Sequence, residues 1–148
     1  MKHKLLYLVA AAALLMVGCL KSTSDIQNQS NNNAVSGTFT GTFRLLHRST
    51  DKVPFDTTKC NITVTINSSG NTYTVTGDTT TVHAGSYGSY AISYPYIQFV
   101  DATYPKTGTP TKTHLNGIYE YYYDGTVFQM LANSIDTLSL QYDLKKSQ

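Results

Sequence analysis

Tryptophan is absent from these 148 residues, and Glu120 is the only glutamate. Charged residues make up 14% of the chain, and after residue 18 there is no apolar run long enough to cross a bilayer. Two cysteines, Cys19 and Cys60, are present. These shortages exclude several classes. A helical domain built on Ala, Leu, Glu and Lys does not fit a chain with one Glu. A disulfide framework needs more thiols, and a Cys/His zinc site needs clustered ones. The formal charge of +2 contains no basic run. Removing the N-terminal Lys2 and Lys4 from the 11 basic residues leaves nine, equal to the nine acidic ones. Nothing here would neutralise a phosphate backbone, so no nucleic-acid partner is expected.

What is abundant is Thr, Ser, Asn, Gly and above all Tyr, 12 in number. That composition suits exposed, half-buried sheet. The length corresponds to one domain, with enough residues for one modest core.

The N-terminus reads differently from the rest. Met1-Lys2-His3-Lys4 is a short basic segment, and Leu5–Val17 is a 13-residue apolar stretch. As a helix it would reach about 20 Å, short of the roughly 30 Å hydrocarbon core, so it reads as an export signal rather than a span. The junction Met16-Val17-Gly18-Cys19 resembles a lipobox of bacterial lipoproteins, with Met16 where Leu is usual. The resemblance implies cleavage between Gly18 and Cys19, lipidation of the Cys19 thiol and attachment to a membrane. Leu20 after the cysteine, by the same analogy, implies the outer membrane of a Gram-negative envelope. Residues 1–18 are thus expected to be a signal peptide and 19–35 a lipidated, polar linker. Its run Asn28-Gln29-Ser30-Asn31-Asn32-Asn33 has almost nothing to bury. Such a linker reaches roughly 20–24 Å.

From residue 36 to 148 the dominant signal is alternation with period two. Phe39, Phe43 and Leu45 share a face, with Gly37 and Gly41, opposite Thr38, Thr40, Thr42 and Arg44. Cys60, Ile62, Val64 and Ile66 alternate with Asn61, Thr63 and Thr65; Tyr73 and Val75 continue that face after the turn Asn67–Asn71. Asp124-Gly125 signals a two-residue hairpin, which would pair Tyr121 with Phe128 and Tyr119 with Met130. Leu138, Leu140, Tyr142 and Leu144 alternate in the last strand. Residues 90–94 and 96–100 read as strands around Pro95, 80–84 as a further short strand, and 52–59 and 102–113 as loops. Eight or nine one-sided strands without a helix need closure. The expected fold is all-β, a single antiparallel up-and-down barrel, with two packed sheets as the alternative.

This pattern resembles a small lipocalin-like barrel. The features that carry it are Gly37-Thr38-Phe39 and Gly41-Thr42-Phe43 in the first strand, where lipocalins have Gly-x-Trp, and Tyr142-Asp143-Leu144-Lys145-Lys146 in the last. The resemblance implies a ligand cavity inside the barrel. Ser69-Gly70-Asn71-Thr72-Tyr73 also resembles the motif of membrane-bound lysozyme inhibitors, although the same residues are explained as a turn entering a strand.

Tyr73, Tyr119, Tyr121, Tyr123 and Tyr142 all project inward on this register. They would either line a pocket for a small apolar or amphipathic, even sugar-like, ligand or simply fill the core. Filling is the commoner use. His47, His83 and His114 lie too far apart in sequence to pair locally and read as solvated. Cys60 reads as a small buried hydrophobe. Asp51, Asp56, Asp101 and Asp136 have no evident acid/base partner, and no Gly-x-Ser-x-Gly elbow occurs. Neither an enzyme nor a cofactor is expected. Asp56-Thr57-Thr58, Asp78-Thr79-Thr80 and Asp136-Thr137-Leu138 resemble envelope O-glycosylation sites placed in turns.

Overall fold

A computed structural model describes residues 34–47, 56–134 and 138–148. The expected signal, Gly18, Cys19 and nearly all of the linker lie outside the described residues, as do Asp51 and Asp136. Eight strands follow one another: β1 (Gly37–His47), β2 (Asp56–Asn67), β3 (Thr72–Gly77), β4 (Ser86–Ser93), β5 (Tyr96–Asp101), β6 (Gly117–Tyr123), β7 (Val127–Asn133) and β8 (Leu138–Lys146). Each pairs antiparallel with the next, and β1 pairs with β8 to close the barrel. The architecture is all-β, with no helix among the described residues. Its meander order fits a lipocalin-like barrel.

Closure follows from the alternation. Phe39, Phe43, Cys60, Ile62, Val64, Ile66, Tyr73 and Val75 are all buried, as their parity requires. Outside, Thr38 faces Thr65 and Thr40 faces Thr63, while Thr74 and Thr76 continue the rows on β3. The Thr38 and Thr65 hydroxyls lie 3.2 Å apart. Beside this Thr wall the Arg44 guanidinium on β1 pairs with Asp143 on β8, and Gln129 Nε2 donates to the same carboxylate at 2.9 Å. Two glycines allow strands to approach where the barrel is tight. A Cβ on Gly41 would sit 2.0 Å from the Asp143 carbonyl oxygen, and one on Gly88 equally close to that of Val100. No other residue fits there.

Four expectations change. Thr80–Ala84 is not a strand; His83 makes a single bridge with Thr113. The hairpin register is two residues away from the one expected: Tyr123 pairs with Phe128 and Tyr121 with Met130. The tight turn is centred on Gly125-Thr126, with Gly125 alone at positive φ, because the Asp124 carboxylate accepts from the backbone N–H of Thr126 and Val127. A shift of two preserves parity, so the same side chains still point inward. β2 begins at Asp56, so Thr57 and Thr58 are exposed on a strand and not in a turn. Finally, Val35, the last residue of the expected linker, is buried with the core.

The two ends of the barrel differ. The connections 68–71, 94–95 and 124–126 are tight and lie at one end, the turn end, where residues 34–36 lead into β1. The connections 78–85 and 102–116 lie at the other, the loop end.

Candidate functional site

The five inward tyrosines come together, but not as one ring around a space. Tyr142 on β8 is fully buried and packed by rings on three sides: Phe43 at 4.9 Å, Tyr119 at 5.5 Å and His83 at 5.7 Å between centroids. Tyr119 in turn meets Phe99 at 5.9 Å, and Phe99 meets Tyr73 at 4.9 Å. These are largely edge-to-face contacts, the packing that aromatic quadrupoles favour. Tyr123, nearer the turn end, sits edge-on to Phe39 and donates its hydroxyl to the Gly125 carbonyl at 3.0 Å. Tyr121 is only partly buried and leans against Tyr94 at the rim. Ring contacts thus run from Phe39 and Tyr123 near the turn end to His83 at the loop end.

The hydroxyls of Tyr73, Tyr119 and Tyr142 find their partners toward the loop end. Tyr73 donates to the Leu115 carbonyl at 2.6 Å, and Tyr119 lies 3.4 Å from the Asn116 carbonyl. His83, expected in solvent, has no exposed surface. A carbonyl can only accept, so the 2.6 Å contact with the Ala84 oxygen assigns the proton to Nδ1, and Nε2 then accepts from the Tyr142 hydroxyl at 2.9 Å. Burial drives the His83 pKa down to about 4 against the pull of the Ala84 carbonyl, so the imidazole is neutral. Burial likewise raises Tyr73, Tyr119 and Tyr142 above the usual phenol range. Cys60 is a buried thiol whose pKa is raised by desolvation, partly opposed by the His83 backbone N–H. It is a packing residue and not an activated nucleophile.

His114 also departs from expectation. Its Nδ1 lies 2.6 Å from Asp101 Oδ2, while Asp101 Oδ1 accepts from the backbone N–H and hydroxyl of Thr103. The Asp101 N–H donates to Asn116 Oδ1 at 3.1 Å, and the Tyr104 ring packs on His114. Every contact of this pair ties the 102–116 loop to β5. Sequence reasoning gave Asp101 no partner because His114 lies 13 positions away, across a loop. Leu115, fully buried, and Val82, packed against the core, then plug the loop end. Ala84 N donates to Thr113 O and Thr113 N to Val82 O, so the 78–85 and 102–116 loops are stitched together over that plug. Among the described residues no group of three or more His, Cys, Asp or Glu could hold a metal.

The outer wall carries what the interior lacks, which is accessible aromatic surface. Tyr87, Tyr96, Val100, Ile118 and Tyr122 project outward from β4, β5 and β6, and Tyr94 stands on the 94–95 turn. A shallow groove of about 270 Å³ runs between Ile92, Tyr96, Gln98 and Ile118. Another, of about 360 Å³, is lined by Glu120, Tyr122, Gln129, Leu131 and Gln141. Period-two alternation could have found these residues: they are the apolar side chains on the wrong parity. Residues 69–71 form an exposed local turn whose Ser69 bonds Asn67, while Tyr73 is sealed in the core.

No known family model, curated protein or solved structure matches the chain.

Proposed function

We propose that this protein is a lipid-anchored component of the bacterial cell envelope, held at the outer membrane through Cys19. Its barrel is a non-enzymatic interaction module that works with its outer wall rather than as a carrier. One observation supports the second half most directly: Tyr142, at the centre of the barrel, is closed in by Phe43, His83 and Tyr119. A small apolar or amphipathic ligand at that position would have to displace those rings. Each displaced aromatic would forfeit on the order of 3 kcal/mol or more of burial and packing. The anchor half rests on the basic, apolar and Gly18-Cys19 order of the N-terminus.

Two measurements test the reading. Replacing Cys19→Ser should move the protein from the membrane to the soluble fraction of cells; unchanged partition would remove the anchor. Native mass spectrometry of the Cys19→Ser chain should give the mass of the polypeptide alone. A stoichiometric small molecule, lost on Tyr142→Ala substitution, would instead restore the carrier reading.

A further inference from the structure

The incoming chain and an exposed aromatic cluster occupy the same end of the barrel. Val35 is buried beneath the turn end, and Ser147 N donates to the Thr38 carbonyl beside it. Tyr94, on the turn between β4 and β5, is 77% exposed, the most of any large apolar side chain described. Ile92 and Tyr96 flank that turn, both more than two-fifths exposed. The Tyr121 N–H donates to the Pro95 carbonyl at 2.9 Å, which brings Tyr121 and the exposed Tyr122 to the same level. Tyr94 and Tyr121 meet edge to face at 6.0 Å.

We propose that this rim of Ile92, Tyr94, Tyr96 and Tyr122 docks the barrel on the headgroup layer of the bilayer that holds Cys19. The proposal rests on the lipid anchor proposed above. Tyrosine suits that depth, because its ring is apolar and its hydroxyl stays wet. By its composition, the segment between Cys19 and Val35 reaches roughly 20–24 Å. Attachment over that distance gives an effective concentration in the millimolar range, so a weak surface contact is populated. The charges of this end are of both signs: Lys145 pairs with Val127 beside the Asp124 turn, and Glu120 pairs with Tyr96. Docking therefore depends on aromatic insertion and requires no anionic lipid. At the opposite end, Tyr104 packs on His114, and docking through the turn end keeps it away from the bilayer.

The absence of tryptophan makes the test clean. Tyr94→Trp and, at the loop end, Tyr104→Trp each introduce a single reporter. The probe is vesicles of brominated phosphatidylcholine, with the protein in two forms: lipidated and floated with the vesicles, or unlipidated as Cys19→Ser and titrated with excess lipid. Emission from position 94 should shift to the blue and be quenched at least twofold in the floated protein, while position 104 stays unchanged. Adding Ile92→Ser and Tyr96→Ser should weaken binding of the unlipidated form about tenfold. An unchanged position 94 in a protein that floats overturns docking and leaves the anchor standing. Should the first form fail to float, the anchor is lost and the titration alone decides docking. Equal quenching at 94 and 104, or a response at 94 only when envelope proteins are added, also overturns the proposal.

Discussion

The two ends of this barrel are built by different physics. At the turn end, connections are short, and their chemistry is local: Asp124 bonds the N–H groups of the next turn, and Tyr123 reaches the Gly125 carbonyl two residues on. At the loop end, order comes from partners distant in sequence. Tyr73 bonds a carbonyl 42 residues away, and His83 bonds a hydroxyl 59 residues away. Local turns fix register while leaving the rim side chains free to face outward. Long-range bonds close a mouth by satisfying polar groups that would otherwise be buried alone.

The contrast predicts where damage is felt. Leu115→Ala at the plug should cost about 2–5 kcal/mol in chemical denaturation, because a fully buried side chain leaves a cavity. Acid should act through the same end. His83 has a folded-state pKa of about 4, below its ordinary 6.5, so the unfolded chain takes up the proton first. The stability His83 contributes is therefore intact above about pH 6.5, falls as pH drops and is exhausted near pH 4. Denaturation midpoints across that window should fall by up to about 3 kcal/mol equivalent and far less in His83→Gln. A flat profile in the parent protein would show that the imidazole is reached by water. Asp101→Asn should cost about 1–3 kcal/mol. Hydrogen exchange should localise the loss to 102–116 while 92–96 and 124–126 stay as before. Smallest of all, Tyr94→Ser should change stability by less than about 0.5 kcal/mol. If it destabilises as much as Asp101→Asn, the turn end is structural and the comparison fails.

How much of this was legible beforehand follows the same division. Alternation placed Phe39, Phe43, Ile62, Val64, Tyr73, Tyr119, Tyr142 and Leu144 inside, because a strand's two faces are decided by parity alone. The Asp124-Gly125 signal located a hairpin and missed its register by two, since Asp124 accepts from Thr126 and Val127 rather than taking the first central position. His83 and His114 were read as solvated because no neighbour in sequence pairs with them. Their partners, Tyr142 and Asp101, arrive only when β8 and β5 are in place. The outward Tyr96, Ile118 and Tyr122 break the polar face of their strands, and only the tertiary structure brings them onto one wall.

Composition and alternation by themselves determined an all-β chain with a sided core, since side-chain parity needs no knowledge of the partner strand. Whether the inward tyrosines would enclose space or fill it was decided only by tertiary structure. That outcome depends on the distance between opposite walls and on which loops fold over the mouth, and neither is encoded in any short stretch of residues.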